Sequence, residues 1–248
     1  MMIQKTSKLV AVVVPIYQSE IAHTERISLQ QCKKILGHYP TFFVKPQNLA
    51  VNYVREFYEQ PTFQIFDDHY FSSVAAYNEL LISPDFYERF KEYEYILIYQ
   101  LDAFVFKDEL QNWCKKGFDY VGAPAPRPGD EKTDSILQNF RPQLLNGGLS
   151  LRKISTTIRF LKVYHALYPR WPANEDTLFS IYHRRVFPLG FLLKRPDFRA
   201  ALPFSFEKQP DLCLKINQNQ LPFGCHAWEK YDPDFWRPYF KELGYEWP

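Results

Sequence analysis

The sequence predicts an α/β protein with a mostly parallel, twisted central sheet flanked by helices. An unbroken apolar, β-branched run from Leu9 to Val14 is typical of a strand buried on both faces, as in a parallel sheet. A helical pattern from His23 to Leu36 and a second apolar run from Thr41 to Val44 complete a βαβ unit. A chain of 248 residues can form this fold as one unit, so we expect a single domain over residues 1–248.

The remaining elements follow from the same signals. The first helix has apolar residues at Leu29, Cys32 and Leu36 and stops at Gly37, which indicates an amphipathic helix with a C-terminal glycine. Further apolar runs predict strands at Phe63–Phe66, Tyr95–Tyr99, Leu101–Phe106, Phe118–Val121 and Gly147–Leu151. Further patterns predict helices at Ser73–Ile82, after Ser83-Pro84, and at Ser155–Tyr168, Glu175–His183 and Asp232–Tyr245. The segment Gly122–Gln143 is rich in proline, glycine and charge, which predicts a mobile loop beside the site.

Composition excludes several classes of protein. Thirty Lys and Arg against 28 Asp and Glu give a formal charge of +2, too balanced for the phosphate-neutralising surface that nucleic-acid binding requires. The four cysteines have neither zinc-site spacing nor a disulfide pattern, so we expect reduced, mostly buried thiols. The apolar run near the start is too short for a transmembrane helix and lacks a signal-peptide cleavage site. We therefore expect a cytoplasmic protein, with peripheral contact to a membrane surface left open.

A single carboxylate, Asp102, interrupts the apolar sequence ILIYQLDAFVF at 96–106. Burying an unpaired carboxylate costs several kcal/mol, so such an Asp normally has a cation or a set of hydrogen-bond donors nearby. The metal ion of a metal-bound diphosphate would offset the charge of the Asp102 carboxylate. The alternative is an Asp at a strand end that only caps the following turn.

The sequence NGGLSLR at 146–152 is a second candidate. Gly147 and Gly148 allow close approach of a ligand to the backbone, and Asn146 can offer its amide to a sugar hydroxyl. The alternative is a tight turn, because Asn-Gly is the commonest turn dipeptide.

Two carboxylates, Glu175 and Asp176, open a predicted helix behind Asn174, a plausible N-cap. The helix dipole favours acidic residues there, which is a sufficient structural explanation. In the functional interpretation one of them faces the pocket as a general base. Because neighbouring residues on a helix point about 100° apart, the two cannot share one role.

The last candidate is His226, in the sequence PFGCHAWEKYD at 222–232. Histidine is the commonest metal ligand, although a lone histidine is more often a core or surface residue. Trp228 follows two residues later, and aromatic rings serve as stacking platforms for sugars and nucleobases as well as core residues.

Taken in order, the motifs VVVPIYQ, YQLDAFVF, FDYVGAPA, NGGLSLR, NEDTLF and PFGCHAW resemble a bacterial family of uncharacterised domains that is itself similar to GT-A type glycosyltransferases. The resemblance runs from about Val10 to Trp236 and implies a GT-A-like, Rossmann-like domain. It also implies a hexosyltransferase-like enzyme that acts in bacterial surface glycan synthesis. Such an enzyme moves a sugar from a nucleotide-sugar donor, such as a UDP-sugar, to a hydroxyl of a glycan or other acceptor.

The resemblance assigns roles to residues that match the motifs. Pro15, Ile16 and Tyr17 would hold the nucleobase, and a later Asp-x-Asp motif would bind the diphosphate and its metal. That motif is represented by Gln100, Leu101 and Asp102, so its first Asp is replaced here.

Further matches give the metal a second ligand and the acceptor a base. His226 would bind Mn²⁺ or Mg²⁺ together with Asp102, beside Trp228 in the donor site. Asp176 would be the base of an inverting reaction, with Glu175 beside it.

Two other functions compete with this one. A non-catalytic module that binds nucleotide sugars or glycans could keep the same shell after losing the first metal carboxylate. A dinucleotide-dependent oxidoreductase is disfavoured, because PIYQSE follows the first strand where such enzymes have G-x-G-x-x-G.

Overall fold

The computed structural model describes residues 8–127, 129–130, 143–168, 170–184 and 189–246. Nine strands are found in these residues: β1 Lys8–Pro15, β2 Thr41–Pro46, β3 Thr62–Phe66, β4 Tyr93–Tyr99, β5 Ala103–Val105, β6 Tyr120–Pro124, β7 Leu145–Lys153, β8 Ser205–Phe206 and β9 Gly224–His226. The described α-helices are α1 His23–Leu36, α2 Val74–Leu81, α3 Pro84–Glu88, α4 Leu110–Lys115, α5 Ile154–Leu167, α6 Glu175–Ser180, α7 Phe198–Ala201, α8 Pro210–Ile216 and α9 Pro233–Glu242. The predicted mixed α/β architecture is confirmed.

Six strands form the main sheet in the order β3-β2-β1-β4-β7-β6. Strands β3, β2, β1 and β4 run parallel, whereas β7 runs antiparallel to both β4 and β6. Val12 of β1 lies between Thr41 of β2 and Leu97 of β4, and β1 and β4 are buried along almost their whole length. The continuous apolar sequence of these two strands follows from this burial on both faces.

A small second sheet, in the order β5-β9-β8, packs beside the carboxyl end of β4. The sequence predicted one strand over Leu101–Phe106 with Asp102 inside it, and this is wrong in detail. Strand β4 ends at Tyr99, residues 100–102 turn, and β5 then joins the second sheet. Asp102 therefore lies in a turn between two sheets, where a side chain can reach solvent.

Most predicted helices are found, with small differences at their ends. Helix α2 begins after Ser73, whose hydroxyl accepts a hydrogen bond from the N–H of Ala76 at 3.1 Å. Helix α6 ends at Ser180, and a separate 3₁₀ turn follows at Tyr182–Arg184. At the start of α6 the side chain of Asn174 makes no capping hydrogen bond. Asn78 takes that role, since its Oδ1 accepts from the N–H of Glu175 at 3.0 Å.

Other predictions on the chain can be compared only in part. Strand β6 continues to Pro124, so the predicted loop Gly122–Gln143 begins later than expected, and residues 128 and 131–142 lie outside the described residues. All four cysteines are buried free thiols, as predicted. None of the described helices is long and apolar enough to cross a membrane.

Candidate active site

A cavity of about 650 Å³ opens where β1 and β4 end. Because these strands are parallel neighbours, the residues that follow them meet at one edge of the sheet. Pro15 and Tyr17 line the cavity from the end of β1, and Gln100, Leu101 and Asp102 line it from the turn after β4. The starts of α1 and α2 form the opposite walls.

Five of the residues predicted to bind the donor therefore share one cavity. Ile16, which lies between Pro15 and Tyr17, is buried and does not line the cavity, and its N–H donates to the carbonyl of Val44 at 2.7 Å. The ring of Tyr17 is 56% exposed and faces the opening. A large, exposed ring at the mouth of a cavity can stack on a planar group.

The structure brings Asp102 and His226 together from distant parts of the chain. Strand β9 pairs with β5, and this pairing sets His226 opposite Ala103, next to the turn that carries Asp102. The Nε2 atom of His226 lies 3.1 Å from Oδ1 of Asp102 and 3.2 Å from Oε1 of Gln100. His226 is buried, whereas the Asp102 side chain is 39% exposed and reaches the cavity.

A second carboxylate, Glu207, completes this cluster and is absent from the sequence prediction. Its Oε1 lies 3.7 Å from Nδ1 of His226 and accepts a hydrogen bond from the amide of Asn146 at 3.1 Å. Glu207 is buried and follows β8, a strand of two residues. We call the set of Gln100, Asp102, Asn146, Glu207 and His226 the His226 cluster.

The charges in this cluster are set by competition between burial and pairing. Burial opposes the charged imidazole, but the Asp102 and Glu207 carboxylates outweigh it and raise the pKa of His226 to about 9. Burial also opposes the charge on Asp102, yet His226 keeps the pKa of that carboxyl below its ordinary value. The imidazole is therefore a cation held between two anions at neutral pH.

The two glycines of the NGG motif lie inside β7 rather than in a turn before it. Strand β7 bulges against β6 here, since Gly122 pairs with Ser150 and Ala123 with Asn146. A Cβ atom on Gly148 would overlap the imidazole of His226, and one on Gly147 would overlap the carboxylate of Glu175. The glycines thus make room for two buried side chains of the site.

Glu175 is fully engaged with a buried cation, Arg152. One guanidinium nitrogen of Arg152 donates to Oε1 of Glu175 at 2.7 Å, and another donates to the hydroxyl of Tyr87 at 2.9 Å. The third donates to Oγ of Ser150 at 3.0 Å. The Arg152 side chain is completely buried and that of Glu175 nearly so. We call these four residues the Arg152 network.

Asp176 is buried beside this network but is not part of it. Among the described residues its Oδ1 has no hydrogen-bond partner. Burial and the neighbouring Glu175 charge raise the pKa of Asp176 to about 7. A buried carboxyl that titrates near neutrality and has an unsatisfied oxygen is suited to accept a proton.

Trp228 lies in the core. Its ring is completely buried, contacts Phe240 at 4.7 Å between ring centroids, and donates its N–H to Oγ of Ser28 at 3.2 Å. Neither Trp228 nor Asp176, Asn146 or the two glycines is among the described residues that line the cavity.

The donor atoms near Asp102 fit a hard divalent cation. They are one carboxylate oxygen, one amide oxygen and one imidazole nitrogen, from Asp102, Gln100 and His226. Within the described part of the chain no three His, Cys, Asp or Glu side chains form a metal site by themselves. A metal site here would therefore need Gln100 as its third protein ligand. His226 would have to lose its proton to bind the metal.

The fold of the chain is similar to that of GT-A type glycosyltransferases. Galactosyltransferase LgtC, solved with donor and acceptor sugar analogs, matches with a TM-score of 0.53 at 12% identity over 94% of each chain. The apo WbbM bifunctional glycosyltransferase matches with a TM-score of 0.50 at 14% identity over 94% of this chain, which spans 48% of that structure. At these identities the likeness describes the fold.

The chain belongs to the family described as protein of unknown function DUF5672, whose model matches residues 60–226. No curated protein matches the chain. The matched range includes the turn with Asp102, the NGG motif, Glu175, Asp176 and His226.

Proposed function

We propose that the protein is a metal-assisted glycosyltransferase, which moves a sugar from a nucleoside diphosphate donor to a hydroxyl acceptor. The observation that carries this proposal is the cavity at the carboxyl edge of a GT-A-like sheet, with the Asp102–His226 pair at its border. We further propose that residues 1–248 act as one catalytic domain. The extension to acceptors in bacterial surface glycan synthesis depends on the sequence resemblance alone.

The charges around the cavity support a donor that carries a cation with it. Glu25, Asp102 and Glu229 line the cavity, and within the described residues no Lys or Arg lines it. A diphosphate would be repelled by three carboxylates unless a cation offset its charge. Gln100, Asp102 and His226 would hold Mn²⁺ or Mg²⁺, while Pro15, Ile16 and the exposed ring of Tyr17 would bind the base.

The reaction needs a base for the acceptor and stabilisation of the leaving group. In this proposal Asp176 takes the proton of the acceptor hydroxyl while the oxygen of that hydroxyl bonds to C1 of the donor sugar. The bond from C1 to the diphosphate oxygen breaks, and the nucleoside diphosphate leaves with the electron pair. A bound divalent ion would supply Lewis-acid stabilisation of that leaving group. Attack by the acceptor from the opposite face inverts the configuration at C1.

Hydrogen bonds around the NGG segment hold the His226 cluster together. The N–H of Gly148 donates to Oδ1 of Asn146 at 2.8 Å, and the N–H of Gln100 donates to the carbonyl of Gly148 at 2.9 Å. These bonds join the NGG segment to the turn that carries Asp102. We assign Asn146, Gly147 and Gly148 to the side of the site nearest the transferred sugar.

A non-catalytic nucleotide-sugar or glycan-binding module is the second candidate. The observation that favours it is Gln100, which stands where GT-A enzymes have the first carboxylate of Asp-x-Asp. A neutral amide offsets less of the charge of a metal ion than a carboxylate does.

A two-stage experiment separates these functions. The first stage measures the melting temperature of the protein with each nucleoside diphosphate, with and without Mn²⁺, since a ligand of the folded state raises it. The second stage follows donor hydrolysis and sugar transfer by chromatography. We expect a metal-dependent rise and product in both assays. Binding without product would establish the module instead, and no binding by any nucleotide would overturn the proposal.

A further inference from the structure

A patch of exposed apolar side chains lies beside the helix that carries Asp176. We define the aromatic patch as the exposed residues Leu167, Tyr168, Tyr182 and Phe191 together with the partly buried Trp171. Phe191 is 88% exposed, and the patch contains four of the eight large apolar residues that are exposed in the described structure. Exposed apolar residues that gather in one place commonly mark a contact surface.

Ring contacts connect three residues of this patch, Tyr168, Trp171 and Tyr182, through Tyr164. Tyr168 stacks on Tyr164 at 5.5 Å between ring centroids, Tyr164 lies 6.4 Å from Trp171, and Trp171 lies 4.9 Å from Tyr182. The 3₁₀ turn Leu189–Phe191 packs against both α5 and the turn that begins at Tyr182. The side chain of Phe191 therefore projects from a supported turn.

The charge of this part of the chain differs from that of the rest. Residues 154–196 contain seven Lys and Arg and only two acidic residues, Glu175 and Asp176. The rest of the chain holds the other 23 of 30 basic residues and 26 of 28 acidic ones. Both Glu175 and Asp176 are buried, while Arg159, Arg170 and Lys194 are exposed. In the described part of this segment the exposed charges are therefore all basic, and one of them, Lys162, is paired with Glu88 at 3.0 Å.

We propose that the aromatic patch and the exposed cations of this segment, of which Arg170 directly precedes Trp171, form a docking surface for an anionic phospholipid bilayer. Aromatic side chains settle at the boundary between headgroups and acyl chains, and Lys and Arg beside them attract anionic headgroups. The inference depends on this surface alone and does not depend on the proposed reaction.

Vesicle binding of the full chain tests the proposal without donor, acceptor or turnover. The protein is centrifuged with vesicles of phosphatidylcholine alone, or of equal parts phosphatidylcholine and phosphatidylglycerol, at low and high salt. Two variants probe the surface, Phe191→Ser for the apolar contact and Arg170→Glu for the charge. Their matched controls are Ile65→Ser and Arg55→Glu, which change exposed residues elsewhere.

We expect binding to the anionic vesicles that salt weakens, and about tenfold weaker partitioning for each patch variant. The control variants should bind like the wild type. Equal binding to both kinds of vesicle, or equal losses in the controls, would overturn the proposal. Self-association of the lipid-free protein that Phe191→Ser abolishes would also overturn it, because the patch would then join two copies of the chain.

Discussion

Two buried charge clusters lie side by side in this protein, and they differ in how completely their charges are paired. In the Arg152 network all three guanidinium nitrogens donate to partners within the core. In the His226 cluster, Nδ1 of the imidazole has no hydrogen bond among the described residues, and Asp102 reaches the cavity. Fully paired buried charges fix a conformation, whereas incompletely paired ones next to a cavity are available to a ligand.

The same difference separates two residues that are adjacent in sequence. Glu175 and Asp176 begin one helix, but only Glu175 faces Arg152. Asp176 keeps an oxygen without a partner among the described residues and titrates near neutrality. We therefore propose that the first carboxylate contributes to stability and the second to the chemistry.

Removing the cation of the Arg152 network should have the largest effect on stability. Arg152→Met leaves Glu175 as a buried charge without its partner, which should lower the free energy of unfolding by about 3–5 kcal/mol. Urea denaturation of the purified variant measures this loss. The double variant Arg152→Met/Glu175→Gln should recover part of it, because it removes the orphaned charge. A loss below about 1 kcal/mol would mean that the pair is no stronger than a surface salt bridge.

The next effect concerns the unpaired carboxylate. Asp176→Asn keeps the size of the side chain but cannot accept a proton, so turnover should fall by about 10²-fold or more. Donor affinity should stay nearly unchanged, because the lining of the cavity is intact. Glu175→Gln is the matched control: it should reduce stability more than turnover. Normal sugar transfer by Asp176→Asn would exclude this residue as the base.

The contrast between Glu175 and Asp176 was only partly predictable from sequence. Their place in the first helical turn follows from Asn174 and the helical pattern, and the 100° between neighbours implies two roles. The sequence does not show which of them meets Arg152, because that contact depends on how α6 packs on β7. The apolar sequence around Asp102 marked this carboxylate as a site residue, but it predicted a strand there and not the turn that the structure has. Glu207 had no such signal, since a two-residue strand has no readable period.

The raised pKa of Asp176 predicts a pH dependence with a definite sign. The base is active when ionised, so the rate of sugar transfer should rise with pH and level off above about pH 8. With a pKa of about 7, only about a tenth of the carboxyl is ionised at about pH 6. Turnover there should be about tenfold below the plateau. A rate that is constant across this range would contradict the assignment.

Stability should change in the opposite direction through the same group. The pKa of Asp176 is raised from 3.8 in the unfolded chain to about 7 in the fold. The contribution of this carboxyl to the free energy of unfolding is therefore fully present below about pH 3.8 and is lost as the pH rises through 7. In Asp176→Asn the side chain cannot ionise, so the stability of this variant does not fall in the same way. Its stability advantage over the wild type should therefore be larger at about pH 8 than at about pH 5, by at most about 3 kcal/mol. Thermal melts at the two pH values measure it.

A smaller effect, on nucleotide binding, is expected when Glu207 of the His226 cluster is changed. Glu207→Gln removes the carboxylate that faces Nδ1 of His226 but keeps the side-chain length, so it should weaken metal-dependent nucleotide binding about tenfold. Melting curves with nucleoside diphosphate and Mn²⁺ give this affinity. Glu229→Gln, which changes a cavity carboxylate that is not placed against His226, is the control. Equal effects of both variants would show general electrostatics rather than support of the imidazole.

The smallest predicted effect tests whether the two clusters also differ in backbone strain. In the described part of the chain, Ala227 has a φ of 49° directly after His226, and Gln209 has a φ of 50° two residues after Glu207. An L-residue pays roughly 1–2 kcal/mol in this left-handed region, and glycine does not. Glycine also loses more chain entropy on folding, so Ala227→Gly should stabilise the protein by at most about 1 kcal/mol.

The control for this last change is Ala201→Gly, in the right-handed helix α7. There the backbone carries no such strain, and the variant should lose about 0.5–1 kcal/mol of entropy in addition to the buried methyl group that both variants lose. The difference in melting temperature between the two variants therefore measures the strain itself. If Ala227→Gly also weakens metal-dependent nucleotide binding, the left-handed turn holds His226 toward Asp102. The His226 cluster would then be distinguished from the Arg152 network by its backbone strain as well as by its incomplete pairing. Equal losses in the two variants would show that the backbone after His226 stores no strain.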